Sequence, residues 1–209
     1  MKNAFSCIFC CAILFSGTQS VTADMVNYNY SLASDGTLTT PHSWAIVDTF
    51  DTDRPGWSYY GSAIVSGSVL DNYTAPYLDI TKYLTINSPS VQSGSLAIVT
   101  FGGAVYNYLG LYWGSINTYN KIEFLKDGNI SGACLGTDIT LPIIADQSSD
   151  GYVNFYLSHD FDGIRFTSTA PAFEIDNLAV GIHAPIPGAV LLGIIGLSIS
   201  GWLLKRKTQ

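Results

Sequence analysis

Histidine stands beside carboxylates at one place in the sequence, His159-Asp160-Phe161-Asp162. An Asp–His pair can orient a general base, and two carboxylates flanking a glycosidic bond can hydrolyse it. Asp160 and Asp162 are two residues apart, so from a strand they point the same way and form one patch rather than two facing walls. A strand-end turn accounts for them equally well. The other histidines, His42 after Pro41 and His183 near the C-terminal segment, have no such company. No nucleophile motif and no phosphate-cradling glycine loop accompanies them. The reading is of a protein without catalytic residues, and a secreted hydrolase is the least favoured alternative.

Two other groups of side chains carry chemistry of a different kind. Asp48, Asp51 and Asp53 crowd a turn-like stretch, and Asp176-Asn177 lies in the last apolar run. Oxygen clusters of this kind hold Ca²⁺, so Asp51, Asp53 and Asp176 are the metal candidates. Their spacing is not that of an EF-hand, and solvated turn carboxylates are the plainer reading, with no cofactor required. The chain also has 13 Tyr and 4 Trp. Exposed rings stack on sugar faces while their polar tips bond hydroxyls. Trp57, Tyr59, Tyr60, Tyr112 and Trp113 are the candidate ligand-binding rings, although strands favour aromatics for packing alone. Cys134, between Gly132-Ala133 and Leu135-Gly136, reads as a buried structural thiol.

The elements that must position these residues read as strands. Runs rich in Val, Ile, Thr, Tyr and Phe recur at Trp44–Phe50, Ser58–Leu70, Ser95–Phe101, Tyr108–Trp113, Tyr119–Leu125, Tyr152–Leu157, Ile164–Ser168 and Phe173–Val180. Gly, Asn, Asp, Ser and Pro separate them, and no stretch between Met25 and His183 has helical periodicity. This pattern predicts an all-β antiparallel sandwich or jelly roll. Within Tyr119–Leu125, Ile122 and Phe124 face inward and Lys121 and Glu123 outward; Asp127-Gly128 then supplies the positive φ angles of a tight hairpin. The last run breaks phase: Phe173 and Ile175 share one face, Leu178 and Val180 the other. One extra residue at Asp176-Asn177 restores all four to the core, which predicts a β-bulge there.

Residues 24–184 form one domain of 161 residues, long enough for a substantial core. All 16 Asp and Glu fall within it against five cations, Arg54, Lys82, Lys121, Lys126 and Arg165, for a net charge of −11. Such a surface repels phosphate backbones, so nucleic acid is excluded as a partner. The carboxylates are spread along the chain, which suits solubility outside the cell. Three of the four cysteines lie in the first 11 residues, which leaves the domain without an internal disulfide.

The ends read as export signals. Residues 1–23 have one Lys, an apolar run Ala4–Phe15 and a small-residue exit Val21-Thr22-Ala23, the layout of a secretory signal cleaved between Ala23 and Asp24. The apolar run is too short to span a bilayer. Residues 185–209 open with Pro185-Ile186-Pro187, continue with the 17 uncharged residues 188–204 and close on Lys205-Arg206-Lys207. As a helix that stretch reaches about 25 Å, the lower limit for one transmembrane crossing. The prolines keep it from extending back into the domain, and the basic tail stays cytoplasmic.

That tripartite tail, Pro-Ile-Pro-Gly-Ala-Val-Leu-Leu-Gly-Ile-Ile-Gly-Leu followed by tryptophan and Lys-Arg-Lys, resembles the PEP-CTERM sorting signal, with Ile186 in place of the motif's Glu. Gly110–Phe124 and Ala172–Val180 resemble matching blocks in exosortase-dependent surface proteins, a likeness covering roughly residues 95–207. The resemblance implies a Gram-negative bacterium that makes exopolysaccharide, and recognition of Pro185, Ile186 and Pro187 by a membrane exosortase, with Lys205, Arg206 and Lys207 as the stop. It transfers no catalytic residue. The expectation is therefore an exported, non-catalytic surface or matrix protein, anchored in the inner membrane by its C-terminal helix and then moved to the cell surface. A carbohydrate-binding module for exopolysaccharide is the alternative.

Overall fold

β-Branched and aromatic runs cut by Gly, Asn and Asp fold into strands because a pleated, half-buried surface suits those side chains. The computed structural model describes residues 27–32, 36–91, 93–139 and 150–183. It is all-β, with two antiparallel sheets packed as a sandwich. In one sheet the order is β1 (Asn27–Leu32), β10 (Gly151–Phe161), β7 (Tyr106–Gly114), β12 (Phe173–Gly181), β5 (Lys82–Ile86) and β4 (Ala63–Ser66), with β2 (Ile46–Asp48) also on β12. The other runs β3 (Ser58–Tyr60), β6 (Leu96–Thr100), β11 (Gly163–Ser168), β8 (Asn120–Lys126) and β9 (Asn129–Leu135).

Between the sheets lies one apolar core that includes Leu84, Ile86, Trp113, Phe124, Phe155, Phe166 and Ile175. Trp113 stacks on Phe173 with ring centroids 4.9 Å apart, and Phe166 meets Phe173 edge-on at 5.6 Å. Each such ring, fully buried, stabilises the fold by about 2–3 kcal/mol. Cys134 is buried here as expected, and desolvation pushes its thiol pKa up to about 12.

The predicted hairpin is present: β8 and β9 join through Asp127 and Gly128, with φ of 50° and 76°. Ile122 and Phe124 are fully buried. Glu123 departs from the expectation of a solvated side chain, being only 2% exposed under Lys121 and Arg165. Burial works to raise its pKa, but the two cations outweigh it and hold Glu123 below the ordinary carboxylate value.

The run Ser58–Leu70 is not one strand. It breaks at Gly61 into β3 and β4, which belong to different sheets. Gly61 has φ +76°, and any Cβ there would collide with the carbonyl oxygen of Leu96, so only glycine fits the corner. The strand β5 was not anticipated. Four of its five residues are buried, because the connection 67–81 covers the outer face of the sheet as well. That connection is fastened by the Tyr83 hydroxyl donating to the Gly67 carbonyl at 2.5 Å, the Tyr112 hydroxyl donating to that of Tyr77, and the Thr74 N–H donating to Glu174 Oε1 at 2.9 Å.

The bulge in β12 is where the phase break placed it. Pairing with β7 slips between Asp176 and Ala179, and Asn177 takes φ of 49°. Phe173, Ile175, Leu178 and Val180 all reach the core. On its other flank β12 pairs with β5 through Phe173–Ile175 and with β2 through Leu178–Val180, so the bulge sits at a seam where the neighbour changes. Asn27, Tyr156, Tyr108 and Gly181 lie in one register row, which brings the start of β1 and the end of β12 to the same end of the sheet.

The terminal segments 1–23 and 185–209, with Ala23, Asp24, Pro185, Ile186, Pro187, Lys205, Arg206 and Lys207, lie outside the described residues. Among the described residues no helix is long and apolar enough to cross a membrane.

Candidate functional site

Among the described residues, openings at three places carry polar side chains. The first forms where the chain leaves β2 and turns into β3. It holds about 170 Å³ and is walled by Asp48, Phe50, Thr52, Asp53, Arg54, Trp57, Tyr59 and Ile64. Trp57 is half-buried, edge-on to Phe101 at 4.9 Å, with the Arg54 guanidinium 5.4 Å from its ring centre. Asp48 is buried and accepts from the Phe50 N–H at 2.9 Å and from the Tyr59 hydroxyl. Burial, then this carboxylate, drive the Tyr59 pKa upward, so the phenol stays a neutral donor.

At the start of β12 a larger groove of about 410 Å³ opens among Asp71, Asn72, Tyr73, Thr74, Ser115, Asn117, Tyr119, Pro171, Ala172 and Glu174. Ser115 and Asp71 take φ of 54° and 61° in the turns that build it. Asn117 donates to the Tyr119 hydroxyl at 2.7 Å. Burial, followed by the nearby Asp150, raises Glu174 to about 7 even though the Thr74 N–H favours its charged form. Pairs of tyrosine rings among amide and carboxyl groups can bind a polyhydroxylated ligand.

The third opening, about 260 Å³, is at the β12 seam. Asp51 comes from the exit of β2, Leu78, Asp79, Ile80 and Thr81 from the approach to β5, and Asp176 and Asn177 from the bulge. Asp176 is 2% exposed. Burial, then the adjacent Asp79 carboxyl, push it up to about 8.

The sequence-predicted residues are thus only partly assembled. Trp57 and Tyr59 share the first opening, while Tyr60 is 62% exposed on the edge strand β3. Tyr112 and Trp113 are corrected: both are fully buried and present no ring face for a sugar. Trp113 belongs to the core and Tyr112 lies beneath the 67–81 connection. Asp51 and Asp176 meet in one opening, but Asp53 lines another. Among the described residues no group of three His, Cys, Asp or Glu is arranged to hold a metal ion. Asp162 serves the hairpin, accepting from the Asp127 N–H at 2.8 Å and pairing with Lys126 at 3.6 Å. Asp160 is exposed at the end of β10. Tyr73, Tyr119 and Asp79 had no sequence signal, because the openings they line are assembled from segments distant in the chain.

No family model matches the sequence, and no curated protein matches it. Among solved structures, a structure of the CBM22-1-GH10 modules of Clostridium thermocellum endo-1,4-beta-D-xylanase 10B complexed with xylohexaose is similar at 14% identity and a TM-score of 0.36. The match covers 68% of this chain and 29% of that one. The chain therefore spans less than a third of that protein's length, and a likeness this distant assigns neither family nor function.

Proposed function

We propose that the chain is an exported, non-catalytic protein of the cell surface or extracellular matrix. Its sandwich is held at the inner membrane by residues 188–204 until an exosortase acts at Pro185-Ile186-Pro187. The observation that carries this reading is the order of three features at the C-terminus: rigid prolines, an uncharged 17-residue stretch, and Lys205-Arg206-Lys207. An apolar stretch at the lower length limit, stopped by cations, halts a chain in the bilayer with its folded part outside. The net charge of −11 on residues 24–184 suits an extracellular surface. The hydrogen bond and ion pair of Asp162 in the hairpin turn support the structural reading of His159-Asp160-Phe161-Asp162.

Cell fractionation and mass spectrometry of the mature C-terminus test this together. The intact chain is expected first in the inner membrane and then at the surface, ending near residue 187. A chain lacking residues 185–209 is expected to be released as a soluble exported protein. If it reached the same final location as the intact chain, the reading would fall.

The second reading, a module that binds exopolysaccharide, is supported by two openings with aromatic walls, Trp57 with Tyr59 and Tyr73 with Tyr119. Pull-down on purified exopolysaccharide decides it. Binding that drops at least about tenfold in Trp57→Ala or Tyr119→Ala, as loss of a stacking ring entails, supports the module. Retention unchanged in both variants rejects it.

A further inference from the structure

We propose that the end of the sandwich from which the C-terminal segment leaves is a seat for the bilayer interface, with Trp44, Tyr156 and Ile182 meeting zwitterionic lipid headgroups. The inference rests on the anchoring by residues 188–204 proposed above, and adds a second contact made by the folded body itself. Rings from four distant stretches of the chain converge at this end. Trp44 stacks on His42 with ring centroids 4.7 Å apart and meets Tyr108 edge-on at 5.0 Å. His42 Nε2 shares a hydrogen bond of 2.7 Å with the Tyr156 hydroxyl, and the Tyr156 ring lies 5.1 Å from that of His183. Gly181 makes room for the indole, because a Cβ there would meet its six-membered ring at 2.5 Å. So packed, Trp44 is still 44% exposed; Ile182, next to Gly181, is 65% exposed, and Ile46, paired with Val180, is exposed too. Rings with an apolar body and a polar tip, grouped with aliphatic side chains, have the composition of a membrane–water boundary.

The position of this patch names its occupant. Asn107 grips the departing chain: its Nδ2 donates to the His183 carbonyl at 3.0 Å and its Oδ1 accepts from the His183 N–H at 2.6 Å. The chain is therefore held to the body as far as His183, whose ring centroid is 6.4 Å from that of Trp44. Only residues 184–187 separate it from the 188–204 stretch, a reach of at most about 14 Å. A helix of about 25 Å falls short of a hydrocarbon layer of about 30 Å, so its first residue lies at the edge of that layer. Crossing the headgroup zone takes up roughly 6 Å of the linker, which leaves the patch less than about 10 Å of clearance. Apolar and aromatic side chains held that close to lipid gain by settling into the interface.

Lipid class and strength follow from the same residues. Asp160 is exposed at this end, where the pairing of β10 with β7 shifts between Tyr156 and Phe161. With the net charge of −11 on residues 24–184 it disfavours anionic headgroups. So few side chains hold a surface weakly on their own, since even one myristoyl chain binds only marginally. The tether supplies the effective concentration that makes the contact persist. Cutting the tail at Pro185-Ile186-Pro187 then frees the body from the lipid in the same step.

The test reconstitutes the full chain in phosphatidylcholine vesicles whose acyl chains carry bromine near the headgroup. Trp57→Phe with Trp202→Phe leaves two indoles, Trp44 and the fully buried Trp113, so quenching by lipid reads Trp44. Flotation with the vesicles, lost on deletion of residues 185–209, reports the anchoring separately. The expected result is flotation with the Trp44 emission quenched. Ile182→Asp should still float and keep its Tm, because this side chain is exposed, but lose the quenching. Phosphatidylglycerol vesicles should quench less, and equal quenching overturns the zwitterionic preference. The seat is overturned, with the anchoring intact, if the chain floats while Trp44 stays unquenched. It is also overturned if Ile182→Asp is quenched as fully as the parent, which makes the tether alone responsible. Shielding of Trp44 from iodide that appears in detergent only as chain concentration rises assigns the patch to a second copy and overturns it as well. Flotation that never occurs, or that survives the deletion, removes the anchoring and the seat with it.

Discussion

Glu174 shows how a single buried acid couples this fold to pH. It is 3% exposed, and its pKa is raised from 4.5 to about 7, first by burial and then by Asp150. A carboxyl that holds its proton more tightly when folded stabilises the fold most below its unfolded pKa. Stability is then lost as pH rises from about 4.5 to about 7, and the full cost remains above that. In EDTA, urea melts of the wild-type chain should show lower stability at pH 8 than at pH 5. Glu174→Gln keeps the acceptor for Thr74 N–H without the charge, and should recover about 2 kcal/mol of that loss. An unchanged pH slope in the variant would remove Glu174 from the account. At this scale the sequence was half legible. Trp57 and Tyr59 follow Arg54-Pro55-Gly56, so their place at a loop mouth could be read directly. Tyr112 and Trp113 sit in a strand covered on both faces, and nothing in Gly110–Gly114 reveals that residues 67–81 lie above it.

At the scale of elements, the bulge in β12 was legible because a pleat alternates strictly and an apolar register that changes parity requires an extra residue. Its consequence can be tested by deletion. Removing Asn177 restores regular alternation, which turns Leu178 and Val180 out of the core or forces β12 to slip against β7. Two buried aliphatic side chains turned to water cost about 3–6 kcal/mol, a large share of the stability of a domain this size. The deletion variant should therefore lose its cooperative urea transition or appear in the insoluble fraction. A soluble variant with the parental midpoint would mean that the extra residue is dispensable. The strand β5 escaped the sequence for the opposite reason. Lys82-Tyr83-Leu84-Thr85-Ile86 is buried on both sides after its first residue, so no alternation marks it.

At the scale of the whole molecule, composition showed an acidic, disulfide-free, all-β body, and the two antiparallel sheets agree with that reading of the fold. It could not place the openings, because each is built from segments that meet only after the sheets pair. The register row from Asn27 to Gly181 now gives the body a near pole and a far pole. The groove around Glu174 lies at the start of β12, and eight residues of that strand put it about 25 Å from Gly181. Residues 182–187 extend at most about 20 Å. Under the proposed anchoring by residues 188–204, so short a linker would keep Gly181 close to the lipid and leave the Glu174 groove at the opposite end of β12. On that same proposal, a polymer strand arriving from outside would reach the Glu174 groove before the membrane-facing end.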